Sequence, residues 1–240
     1  MGRKPRSFLQ QYHRGSRRPS VAFAFLLPLL AAYELGGFWL GGDRRNAAEQ
    51  VLKDGSGLLG GAIPFLGYLV FLGVLIVAIQ VFRRRVPILR WFPVLLLETA
   101  IVALLLGPVV GHFVHWMGLE RAAQADLPER LLLSVGAGVY EELLFRFILL
   151  AGCFSLLRRG FDFTARFSMI VALTVSAGAF AAYHHIGPGA EPWSAVALGF
   201  RFGAGLILGG LFMTRGLAVA AYVHAEYDVL FDLWEAGLLP

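Results

Sequence analysis

Charge is what this sequence has least of. Asp, Glu, Lys and Arg make up 15% of its 240 residues, against 58% hydrophobic, where an ordinary soluble domain carries about 25% charged residues. That deficit excludes a globule coated by water and makes lipid the expected solvent for most of the chain. Cysteine is nearly absent. Cys153 stands alone, which excludes an intrachain disulfide. A cleaved signal is not expected either. The basic segment 1–20, with Arg3, Lys4, Arg6, Arg14, Arg17 and Arg18, leads into an apolar run over 21–40. That run exceeds the roughly 7–15 residues of a signal-peptide core, so it reads as a retained first span. There is no repeat of fixed period. No basic module interleaved with aromatics accompanies the formal charge of +5, so no nucleic acid is expected as a partner.

What the chain has instead is long apolar runs. A helix needs about 20 apolar residues to cross a bilayer, and seven stretches approach that: 21–40, 58–82, 92–115, 131–157, 167–186, 194–213 and 217–239. The second contains Pro64 and Gly67, which membrane helices tolerate. The last is interrupted by Glu226, Asp228, Asp232 and Glu235, so it is expected either to re-enter the membrane or to bury its acids against neighbours. The fold class is an all-α, polytopic transmembrane helix bundle of about seven spans. It is organised as a basic cytoplasmic tail (1–20), three N-terminal membrane helices (21–130) and a core of membrane helices (131–240). On this map 14 Lys and Arg residues flank one side of the spans and 5 the other. That bias places the N-terminus in the cytoplasm and the C-terminus outside. The tail is expected on anionic headgroups, and His112 and His115 at the interface. Gly199, Gly203, Gly205 and Gly209 form two small-xxx-small pairs, expected to pack helices closely. Glu98 and Arg201 fall within spans, with a pairing between them in space as one expectation.

Ionisable side chains at membrane depth cost about 2.5–3.5 kcal/mol each on insertion scales and mark functional sites by default. Three runs carry them. In Tyr140-Glu141-Glu142-Leu143-Leu144-Phe145-Arg146, Glu142 and Arg146 are four apart on one helix face, with the acid first, the favourable order for a pair. Glu141 sits about 100° around the helix and is left for other work. In Phe180-Ala181-Ala182-Tyr183-His184-His185, Phe180 and His184 share a face and His185 turns away. In His224-Ala225-Glu226-Tyr227-Asp228, His224 and Asp228 are again four apart. Taken singly, each has an ordinary structural reading: an ion pair, an interfacial histidine, a helix–helix hydrogen bond. Two acids, an arginine and two histidines on three spans point further. Peptide hydrolysis in a membrane needs an activated water, a stabilised oxyanion and a protonated leaving amine. Glu141 with His184 fits the first role and His224 with Asp228 the second. Ser176 carries no mark of a nucleophile.

At these residues the sequence resembles the CAAX prenyl protease and bacteriocin-processing family of intramembrane glutamic endopeptidases, also called Abi proteins. The family's pattern is E-E-x-x-x-R, F-x-x-x-H and H-x-x-x-N or D, which here reads Glu141-Glu142 to Arg146, Phe180 to His184, and His224 to Asp228. The likeness spans roughly 131–233. It implies Glu141 and His184 as water activators, His224 and Asp228 as oxyanion support, and Glu142 and Arg146 as orienting groups. It also implies a membrane-associated peptide or protein as substrate, and no cofactor. The chain departs from the family at Phe147, where glycine is frequent, and at Asp228, where the best-known members have asparagine. An ionised aspartate donates no hydrogen bond. By span position Glu141 lies about 15 Å and His224 about 10 Å into their runs, while His184 falls near the far end of its own. Tilt, or a fifth helix beginning after Phe167, would align them.

Other classes remain open on sequence. Glu141, His184 and His224 are a conceivable zinc set, although H-E-x-x-H is absent; a chelator separates that reading. A non-catalytic membrane immunity or scaffold protein would tolerate substitution of Glu141. A proton-coupled transporter would use Glu141, His184 and Asp228 as a relay and should show inverted repeats, which the sequence does not display.

Overall fold

The computed structural model describes residues 7–40, 45–57, 66–116, 126–186 and 192–239, without the side chains of 53–57, 66–69, 71 and 107–116. Arg3, Lys4, Arg6, Arg44, Arg121, the first residues of the expected 58–82 span, and the side chains of Lys53, His112 and His115 lie outside the described set. Every described element is helical. In chain order these are α1 (Phe8–Gly15), α2 (Pro19–Trp39), α3 (Ala47–Gly57), α4 (Leu66–Arg83), α5 (Ile88–Trp116), α6 (Leu127–Glu141), α7 (Ala151–Ser155), α8 (Ala165–Tyr183), α9 (Ala195–Arg215) and α10 (Leu217–Glu235). A π-helical segment, Glu142–Leu150, joins α6 to α7, and a second, Leu156–Gly160, extends α7, so that all four form one unbroken helical run. Of the described helices, Pro19–Trp39, Ile88–Leu106, Ala165–Tyr183 and Ala195–Arg215 are long and apolar enough to cross a membrane. Their outer faces suit lipid: Leu97, Ile101, Leu104 and Leu105 of α5, Ile170 and Val175 of α8, and Ile207 of α9 all stand exposed. In water such a surface would be an aggregation liability. The chain is an integral membrane protein.

Local sequence explains where the helices begin. Ser7 and Gln10 form a reciprocal capping box at α1, satisfying two orphan amides. Pro19 opens α2 at a position whose N–H has no helical acceptor. Thr164 and Ser194 accept the third amides of α8 and α9. The fourth apolar run extends beyond its expected limits on both sides, and its winding widens at Glu142. π segments of this kind inside α-helices are frequent at functional sites.

Two contacts fix the helices that matter. α6 packs antiparallel on α10, with backbones so close that a Cβ on Gly138 would lie 2.6 Å from the Ala225 Cβ and 2.7 Å from the Ala221 carbonyl. Below this contact Ser134 donates to Asp232 at 2.5 Å, and Arg130 binds both Asp232 (2.8 Å) and Glu235. α8 packs on α9, where a Cβ on Gly205 would sit 2.9 Å from the Ala177 Cα. α9 passes to α10 through Gly216 alone, whose φ of +94° favours glycine.

Two expectations change here, and one alternative is settled. Gly205 and Gly209 do meet neighbouring helices, but Gly199 and Gly203 have nothing within 4 Å of an added Cβ among the described residues. Within the run 217–239, α10 is continuous from Leu217 to Glu235 and sets its acids against neighbours, one of the two alternatives expected: Glu226 accepts from Thr99 at 2.9 Å, and the buried Asp232 from Arg130 and Ser134. Glu98 does not pair with Arg201. Arg215 grips it with two hydrogen bonds while Tyr12 donates a third. The tail thus contributes α1 as a packed element, with Gly15 against the Trp91 ring.

Candidate active site

The six residues expected from sequence come together around the α6–α10 contact and the end of α8. Glu142 and Arg146 are fully buried and form the expected i,i+4 pair, Nη1 to Oε1 at 3.2 Å. Glu142 does more than neutralise the arginine. Its Oε1 also lies 2.8 Å from Nδ1 of His224. A carboxylate accepts, so Nδ1 carries the proton, and Nε2 is the nitrogen turned into the site. It faces Glu141 Oε2 at 3.8 Å and Asp228 Oδ2 at 3.6 Å.

His184 arrives from a different element with the same polarity. It caps the C-terminus of α8, and its Nδ1 lies 2.8 Å from the Phe180 carbonyl. A carbonyl only accepts, so Nδ1–H donates and Nε2 faces inward, 3.9 Å from Glu141 Oε2. Both imidazoles therefore present Nε2 to one oxygen of one carboxylate. α8 begins at Ala165, not after Phe167, so a late start does not align the helices. His184 reaches the others because it stands just beyond the helix end. His185 turns away and stacks on Trp193 at 4.8 Å.

Two further residues hold this cluster. Phe180 is the hub. The Arg146 guanidinium lies 4.4 Å above its ring, and both His184 (4.9 Å) and His224 (5.9 Å) meet it edge-on. A desolvated cation–π contact contributes about 2 kcal/mol, so one ring touches all three motifs. Its place in the F-x-x-x-H pattern was the available signal. Asn46 is the other. It precedes α3, and its Nδ2 donates to Glu141 Oε1 at 3.3 Å from 95 residues away. No local pattern marks such a contact. Around it Tyr33 accepts the Asn46 N–H and donates to Glu49, while Tyr140 and Arg45 both donate to Glu34. Arg201, from α9, is among the charges acting on Glu141. Ser176 donates to the Phe145 carbonyl at 2.7 Å, a structural bond between α8 and the π segment.

Among the described residues no group of three or more His, Cys, Asp or Glu side chains is arranged to hold a metal ion. The buried Glu141 Oε2 makes no hydrogen bond and is the oxygen both histidines face.

No curated protein and no solved structure matches the chain. A family model does. The one described as type II CAAX prenyl endopeptidase Rce1-like matches residues 123–230, a segment that contains Glu141, Glu142, Arg146, His184, His224 and Asp228 and leaves Asn46 outside. The segment carrying these three motifs is thus similar to the Rce1-like CAAX prenyl endopeptidase family.

Proposed function

We propose that the protein is an intramembrane endopeptidase of the glutamate type, which hydrolyses a peptide bond in a membrane-associated, CAAX-type peptide or protein. The observation that carries this reading is the convergence of two imidazole Nε2 atoms on Glu141 Oε2, at 3.9 and 3.8 Å. These separations are longer than one hydrogen bond and shorter than two, so a water can touch the carboxylate and a histidine together. Glu141, with His184, takes a proton from that water as its oxygen attacks the carbonyl carbon. The carbonyl oxygen becomes the oxyanion. His224, with Nδ1–H held by Glu142, donates from Nε2 toward it when doubly protonated. Asp228 then orients His224 instead of donating itself, which suits an aspartate where relatives have asparagine. The proton on Glu141 passes to the leaving nitrogen, the C–N bond breaks, and a carboxylic acid and an amine are released.

The same reading takes α4, the run from α6 through α7, and α10 as spans beside the four most apolar helices, seven in all. α10 carries Glu226, Asp228 and Asp232 within its length, which lowers its hydropathy while fitting it to line a polar site. The N-terminus lies in the cytoplasm.

The test is cleavage in liposomes, with farnesylated CAAX-type peptides and unprenylated leader peptides as the panel. Wild type is compared with Glu141→Gln, each with and without a chelator. Loss of the base should lower turnover about 10²–10⁴-fold, with wild-type cleavage indifferent to the chelator. A chelator-sensitive activity restored by zinc would replace this mechanism with a metal-assisted one. Undiminished cleavage by Glu141→Gln would overturn it.

A further inference from the structure

We infer that Asn46 is a positioning residue for Glu141, supplied to the site by the N-terminal half of the chain. The inference rests on the reading of Glu141 as the general base. Asn46 is buried and directly precedes α3. Its Oδ1 accepts the Ala48 N–H at 2.8 Å, and its backbone carbonyl accepts the Gln50 N–H, so it is the N-cap of that helix. The cap decides which way the amide points. An N–H can be met only by the oxygen, so Nδ2 is fixed on the opposite side, where it donates to Glu141 Oε1 at 3.3 Å. The residue itself is anchored by its own N–H, which donates to the Tyr33 hydroxyl at 2.9 Å, and that hydroxyl donates to Glu49 at 2.8 Å. Both Tyr33 and Glu49 are buried.

The consequence for Glu141 is directional. A carboxylate has two equivalent oxygens until something distinguishes them. With Oε1 tied to Asn46, Oε2 is the one that faces His184 and His224. A carboxylate able to rotate would spread its basicity over orientations that miss the water, and small misplacements at a reacting centre can cost about 10²-fold in rate. The α3 cap therefore fixes which carboxylate oxygen works. This contact also explains why a site whose motifs all fall within 123–230 is completed by a loop outside that segment.

Substitution can separate capping from positioning. Asp and Ser cap helices about as well as Asn, but neither can donate to Glu141 as the amide does. We expect Asn46→Ser to lower kcat about 10-fold and Asn46→Asp, which adds a carboxylate facing Glu141, about 100-fold. KM should stay within about threefold, with the thermal stability of Asn46→Ser in detergent close to that of wild type. Glu141→Gln is measured alongside, on whichever peptide of the panel wild type cleaves. If Glu141→Gln is inactive while Asn46→Asp and Asn46→Ser turn over like wild type, Asn46 is only a cap and this inference is overturned with the proposed mechanism intact. If Glu141→Gln is itself as active as wild type, the mechanism falls and this inference with it.

Discussion

Arg146 is a fully buried cation whose neighbours are Glu142 and the face of Phe180. Removing one member of such a pair leaves the other as an uncompensated charge, which costs about 3–5 kcal/mol. Glu142→Ala should therefore lower thermal stability in detergent markedly, beyond any effect on cleavage. It would also release the Nδ1–H of His224, so cleavage should fall even at temperatures where the protein is folded. Phe180→Leu keeps an apolar side chain and removes the ring. It should destabilise by about 2 kcal/mol through the lost cation–π contact, measured by the same unfolding assay. The legibility of these residues follows from how local each constraint is. Glu142 and Arg146 were readable as a pair because helix geometry alone brings positions four apart together. The double duty of Glu142, serving Arg146 and His224 with one oxygen, was not, since it depends on where α10 sits. Asn46 was wholly illegible, because its contact is set by tertiary packing over 95 intervening positions.

At the scale of helices, backbone proximity does what side-chain chemistry cannot. Gly138 lets α6 approach α10 closely enough for Glu141 and Glu142 to meet His224. Gly138→Ala would force a methyl into the Ala221 carbonyl and the Ala225 backbone. Overpacking of this kind costs about 1–3 kcal/mol, and here it also drives Glu141 and Glu142 away from His224, the groups proposed to act together. We expect Gly138→Ala to lose most cleavage activity together with stability. Gly203→Ala serves as the contrast. It faces open space, so stability should change by less than about 1 kcal/mol and cleavage should be unaltered. Glycine spacing in the sequence identified a helix suited to close packing but not which of its faces is used. Only the partner helix, α8, selects Gly205 and Gly209. The π segment was likewise invisible, because its residues, Leu144, Phe145, Ile148 and Leu149 among them, suit ordinary α winding equally well.

Over the whole molecule, the apolar runs forecast the helices well, since lipid demands length and hydropathy of each span and both are written locally. The N-terminal tail adds a packed element that its basic residues do not foretell: α1 is held by Tyr12 and Arg215 on Glu98, with Arg17 donating to the Met213 carbonyl. Burial, with Glu98 beside it, pushes the Tyr12 phenol above its ordinary value, so it remains a donor at physiological pH. Glu98→Ala should release α1 with a loss of about 1.5–3 kcal/mol for the charged hydrogen bonds, read as faster tryptic cleavage at Arg14 and Arg17. The orientation has its own check: a reporter fused after Pro240 should be active outside the cytoplasm, and activity confined to the cytoplasm would reverse the topology. The contacts along α6 and α10 act on the same large scale. Arg130, Ser134 and Gly138 on one helix meet Asp232, Glu235, Ala221 and Ala225 on the other. A slip of one turn, about 5.4 Å, would bring Asp228 or Ala236 to the place of Asp232 and pull the buried Arg130 partner away. The two helices are toothed like a rack and pinion with a single engaged position, and that one setting is what holds Glu141 and Glu142 opposite His224.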